Sequence, residues 1–195
     1  MTIKENGVYK GLIKKNEQGL NILSMVESPA IEVEYIKMNK EDEPIQIKCE
    51  VLNEEKRIVI APAMVPDLVI PRVSKQGVKF SVYFDRETIF ESLFKLSSEQ
   101  KDQNIDINHN QELINGATII EKFITDENRV QSVKGFENMP FGTLFFTAIV
   151  TNDQLWADIK AGKINGWSID GQYTLEETDV ELTEEEVNFL IKNNI

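Results

Sequence analysis

One cysteine and one histidine occur in the 195 residues, and each scarcity removes a class of function. Cys49 alone cannot close an internal disulfide. One cysteine with one histidine gives no zinc-ligand spacing, and no EF-hand-like loop replaces it, so neither a metal nor another cofactor is expected. Long apolar runs are missing as well. Ile58 to Val65 and Leu144 to Val150 fall far short of the roughly 20 residues that span a bilayer. The opening Met1 to Gly7 has no apolar core of a signal peptide. Basic residues are in deficit, 21 Lys and Arg against 33 Asp and Glu, for a net charge of −12. That balance repels a phosphate backbone and argues against a nucleic-acid partner.

What is present describes an ordinary globular protein, with 41% hydrophobic and 28% charged residues. A chain of this length forms one domain and buries roughly 70% of its surface. Residues 1–195 are read as a single unit, with N-terminal strands to residue 44, a core over 45–175 and a C-terminal helix over 182–195. Alternation and turn residues predict strands at Val8 to Ile13 and Leu20 to Val26, joined as a hairpin, and at Ile31 to Ile36. Further strands are expected at Ile45 to Leu52, Arg57 to Ala63, Asp67 to Ile70 (an edge strand) and Val78 to Phe84. Cys49, in parity with Ile45, Ile47 and Val51, reads as a buried and inert core thiol.

Asp85 should cap a helix to about Leu96 with Ile89, Phe90, Leu93 and Phe94 as its core stripe. Strands follow at Ile105 to Asn108, Ala117 to Ile124, Arg129 to Val133 and Thr143 to Val150. Thr151 or Asn152 caps a short helix closed by Gly162, and Glu176 to Glu181 reads as a solvated turn. Thr183 and Glu186 form a capping box for a last helix. Its Val187, Leu190 and Ile191 need cover from this domain or from a partner such as a second copy. About ten strands with three short helices make the fold class α+β, mainly β: a closed, antiparallel-rich barrel with helices outside.

Chemistry concentrates in Gly162 to Gly171. Alternation there puts Trp167 and Ile169 on one strand face and Ser168 and Asp170 on the other, between glycines that leave the backbone open to an approaching chain. His109 ends the strand Ile105 to Asn108 with inward parity. Ser168 and His109 are the one plausible pairing of nucleophile and base. Glu121 is a second oddity, an acid in parity with Ala117, Ile119 and Phe123.

An ordered set of short motifs over residues 55–173 resembles the phage prohead maturation proteases, in particular the XkdF-like serine protease family. It comprises His109-Asn110, Glu121 to Ile124, Phe141-Gly142-Thr143, Trp156 with Ile159, Lys160 and Gly162, and Gly166 to Gly171. Ile22 to Ala30 is similar to a segment that follows the serine strand in better-known relatives, so the chain looks circularly permuted. Those relatives carry a glutamate where this chain has Ile22.

The resemblance implies a herpesvirus assemblin-like barrel and a serine endopeptidase. It would work in the host cytoplasm, inside the immature prohead, on scaffold and major capsid proteins. Ser168 would be nucleophile and His109 general base. Asp170, on the face of Ser168, is favoured to orient the imidazole, with Glu121 or no third residue as alternatives. Arg129 or backbone N–H groups near the glycines would meet the oxyanion. The rival reading is an inactive barrel that serves as a structural part of the phage head.

Overall fold

The computed structural model describes residues 3–29, 48–183, 185 and 186. Among them lie eleven strands and two helices in three open sheets. The mainly-β α+β class holds, but among the described residues no sheet closes into a barrel. In order the elements are β1 (Gly7–Leu12), β2 (Gly19–Val26), β3 (Glu50–Asn53), β4 (Ile58–Met64), β5 (Ile70–Val73), β6 (Lys79–Tyr83) and α1 (Arg86–Ser98). Then come β7 (Ile105–Ile107), β8 (Ala117–Ile124), β9 (Leu144–Val150), α2 (Asp153–Lys160), β10 (Gly166–Gln172) and β11 (Thr174–Glu181). The sheets run β11-β1-β6-β5, β10-β2-β7 and β3-β4-β9-β8.

Pairing is antiparallel except for β1 with β6 and β2 with β7. The expected hairpin of the first two strands is absent, because β1 and β2 enter different sheets. The second hairpin, β3 with β4, forms as expected. Glu176 to Glu181 is strand, not turn. Thr178 Oγ1 donates to the Val8 carbonyl at 2.7 Å, and Lys14 and Lys4 meet the carboxylates of Glu176 and Glu177. Residues 129–133 form no strand: Asp126 Oδ1 accepts from the backbone N–H of Asn128 and Arg129 and so curls the chain locally. The expected strand Ile31 to Ile36, Ile45 and Ile47, and the apolar positions of the last helix lie outside the described residues. The capping box is formed, with Glu186 N–H donating to Thr183 Oγ1 at 3.2 Å.

Both helices start where side chains supply missing acceptors. Asp85 accepts from Thr88 N–H at 2.9 Å and Asn152 from Leu155 N–H at 2.9 Å. On α1 the buried stripe is Ile89, Ser92 and Leu96, whereas Phe90 and Phe94 are 63% and 64% exposed. The pair expected in the core stands about 100° round the helix from Ile89 and Leu93, enough to turn it to the surface. Cys49 precedes β3, packs partly buried against the core, and has its thiol pushed up to about 12 by desolvation and by Glu50. Its parity partner Val51 is exposed, so that parity does not mark a core face.

The core lies between the sheets. Trp167 is fully enclosed, meets the Phe146 ring edge-on and donates Nε1–H to the Phe146 carbonyl at 3.2 Å. This locks β10 of the central sheet onto β9 of its neighbour. Gly171 is needed for a different reason than access by a partner chain. At the β10 bulge a Cβ there would lie 2.4 Å from the Gly19 carbonyl oxygen.

Candidate functional site

Cross-strand register builds the site. On β10 and β2, Ser168 is paired with Ser24 and Trp167 with Met25; on β2 and β7, Ser24 is paired with Asp106. Residues paired across a ladder share a face. One face of this sheet is therefore apolar, with Leu23, Met25, Ile105, Trp167 and Ile169. Its other face carries a polar row, Ser168–Ser24–Asp106. The expected split of Trp167 and Ile169 from Ser168 and Asp170 is the one observed. The row is nearly sealed: Ser24 and Asp106 are 0% exposed and Ser168 is 6% exposed.

His109 stands over the row from the loop after β7. Its Nδ1 is 2.9 Å from Ser24 Oγ. The residue is exposed, not inward as strand parity suggested, because the strand ends at Ile107. Asn108, His109 and Gln111 all have positive φ, at 52°, 57° and 64°. Three such residues in four positions form a strained turn, which persists only where its surroundings hold it. Those holds are visible. Asn108 Oδ1 accepts from Glu27 N–H at 3.1 Å, and Gln111 N–H donates to Asp106 Oδ2 at 2.8 Å. The Gln111 side-chain amide donates to Asp170.

The sequence-derived site is thus partly assembled. Ser168 and His109 belong to one sheet and its loop, but the hydrogen bond of His109 goes to Ser24. Directly paired residues of a ladder have Cβ atoms about 5 Å apart, so Ser168 sits beside the serine that holds the imidazole. Asp170 is engaged by Gln111. Glu121 lies in another sheet, where a bulge after Ile119 resets its parity. There it is exposed and accepts from Thr147 Oγ1 at 3.0 Å. Arg129 is exposed beside Asp126, also away from the row.

Two residues of the row are not singled out by the sequence: Ser24 is one of nine serines, and Asp106 is a polar residue between Ile105 and Ile107. The signal lay in register across three strands, which no single strand displays. Away from the row, Arg72 lines a narrow hollow with Met64, Ile70, Phe84, Trp167, Ser168 and Ile169, and burial lowers the affinity of its guanidinium for its proton. Beside the His109 loop opens a cleft of about 760 Å³, lined among others by Asn108, Asn115, Asn152, Leu155 and Lys163.

Among the described residues no group of three or more His, Cys, Asp or Glu side chains is placed to hold a metal ion. No helix among them is long and apolar enough to cross a membrane. No family model matches this chain, and neither a curated protein nor a solved structure gives a match.

Proposed function

We propose that the chain is a serine endopeptidase in which Ser168 is the nucleophile and His109 the general base. The observation that supports it is the 2.9 Å contact between Ser24 Oγ and His109 Nδ1. In Ser-His catalysis Nδ1 is the nitrogen held by an orienting group, and Nε2 works on the nucleophile. Ser24 occupies the orienting place here, and Nε2 has no hydrogen-bond partner among the described residues. In the reaction Ser168 Oγ attacks the peptide carbonyl carbon as its proton passes to Nε2. The C–N bond then breaks, the amine takes that proton, and water hydrolyses the acyl-serine by the same route. Neither Asp170 nor Glu121 is needed as the direct partner of the imidazole.

The resemblance to prohead proteases supplies the substrate class: scaffold and major capsid proteins inside the immature phage head in the host cytoplasm. The pairing of β2 with β10 supports a permuted, opened form of the assemblin-like barrel. Residues 19–26 run antiparallel beside the serine strand, as a strand directly following it would. The cleft beside Asn108 suits an extended peptide, since asparagine amides both donate to and accept from a backbone.

A second reading, a non-catalytic head component, is favoured by the hydrogen bond that His109 makes among the described residues, which goes to Ser24 and not to Ser168. Co-expression with scaffold and capsid protein, followed on gels and by mass spectrometry, decides between them. The parent should cleave, Ser168→Ala and His109→Ala should each lose several orders of magnitude of rate, and the double variant should lose little more. Cleavage by Ser168→Ala at the parental rate rules the protease reading out.

A further inference from the structure

The geometry points to Asp106 as a positioning residue that acts through Ser24 to fix which nitrogen of His109 carries the proton. This rests on the serine-protease reading above and adds a relay to it, Asp106–Ser24–His109. Asp106 is 0% exposed and its Oδ2 is held by Gln111 N–H at 2.8 Å. Its Oδ1 is buried with no hydrogen-bond partner among the described residues. A buried carboxylate oxygen left bare is costly, and such a group calls for an explanation by what it does.

The row supplies one. Ser24 is the register partner of Asp106 across β2 and β7 and shares its face. A hydroxyl has one proton to give and two lone pairs. If Ser24 gives its proton toward Oδ1, its lone pairs are left for the Nδ1–H of His109, and Nε2 is left as the free base. If Ser24 instead gives its proton to Nδ1, the Nε2 lone pair is lost to an N–H and the base cannot act on Ser168. The anionic Asp106 selects the first arrangement, because a carboxylate is by far the better acceptor. Ser24 is the register partner of Asp106, and Oδ1 has no hydrogen-bond partner among the described residues, so a hydrogen bond from Ser24 to Oδ1 is what completes the relay. Gln111 keeps the carboxylate from turning away, and the left-handed turn that carries His109 holds Gln111 in place. As the imidazole takes up a proton, the same anion stabilises the positive charge through the intervening hydroxyl.

The test exploits the single histidine, which gives one imidazole signature in the nitrogen-15 spectrum of the whole chain without assignment. The parent should show the Nδ1–H tautomer. Asp106→Asn and Ser24→Ala should each move the population toward Nε2–H and lower kcat at least tenfold with KM little changed. A parent spectrum with Nε2–H overturns the relay without recourse to any variant, and so does an unmoved tautomer in the two variants. The relay and the enzyme fail separately. Lost cleavage in Ser168→Ala with an unmoved tautomer in the other variants removes the relay and keeps the protease. A moved tautomer with full cleavage in Ser168→Ala keeps the relay and removes the protease.

Discussion

Asp106 and Glu121 are both acids within strands of largely apolar residues, yet they end in opposite situations. Glu121 follows a bulge that shifts the β8 register, so its side chain reaches the surface and the Thr147 hydroxyl satisfies it. Asp106 stays in register, is sealed at 0% exposure, and keeps one oxygen bare. Parity along a strand is blind to both outcomes. A bulge resets it, and only the neighbouring strands tell whether an acid faces hydroxyls or leucines. The unsatisfied acid, not the merely odd one, marks where the chain accepts a cost in stability.

The most drastic way to break this contrast is to remove the frame beneath the row. Trp167→Ala empties the opposite face of the sheet and should cost about 3–5 kcal/mol, read from denaturant midpoints. An effect below about 1 kcal/mol would mean that the central sheet does not depend on its seat against Phe146.

Exchanging each acid for its amide sharpens the comparison. Asp106→Asn relieves a buried charge and should raise stability by about 1 kcal/mol while activity falls. Glu121→Gln should stay within about 0.5 kcal/mol with activity intact. If Asp106→Asn is destabilising and Glu121→Gln is not, the buried carboxylate is a structural element and the contrast is misread.

Asp85 provides the reference, an acid with all its needs met. Desolvation pulls its pKa up, but the hydrogen bond from Lys10 and those from Thr88 outweigh it and hold the carboxyl below its usual value. A lowered folded-state pKa gives stability that is present above the unfolded value, near 3.9, and is lost as pH falls through the folded one. Asp85→Ala should therefore cost about 1 kcal/mol at neutral pH, and less as the pH falls below about 4. Equal costs at pH 7 and pH 3, measured by thermal unfolding, would remove Asp85 from the role of charged cap.

Much of the architecture could be read from the chain because local rules decide it. The cap Asp85, a second cap narrowed to Thr151 or Asn152, the capping box at Thr183, the hairpin of β3 with β4 and the two faces of β10 follow from spacing alone. What could not be read depends on partners distant in sequence. Residues 176–181 look like a solvated acidic turn until Lys4, Lys14 and the edge of β1 are brought to them. The hairpin expected of β1 and β2 gave way because each strand finds better partners elsewhere. At the site, His109 could be picked as the single histidine and Ser168 by the glycines that bracket its strand. Ser24 and Asp106 could not, since their meaning comes from a row across β10, β2 and β7. Three open sheets also replace the expected barrel, because strand count alone does not determine closure.

The central claim is that an imidazole held by Ser24 activates Ser168. A serine-directed phosphonyl fluoride, followed by peptide mass mapping, tests it without knowledge of the natural substrate. The account predicts one adduct, on Ser168, formed by the parent and lost in His109→Ala although the serine remains. An adduct on Ser24, or labelling of Ser168 that is indifferent to His109, would contradict it.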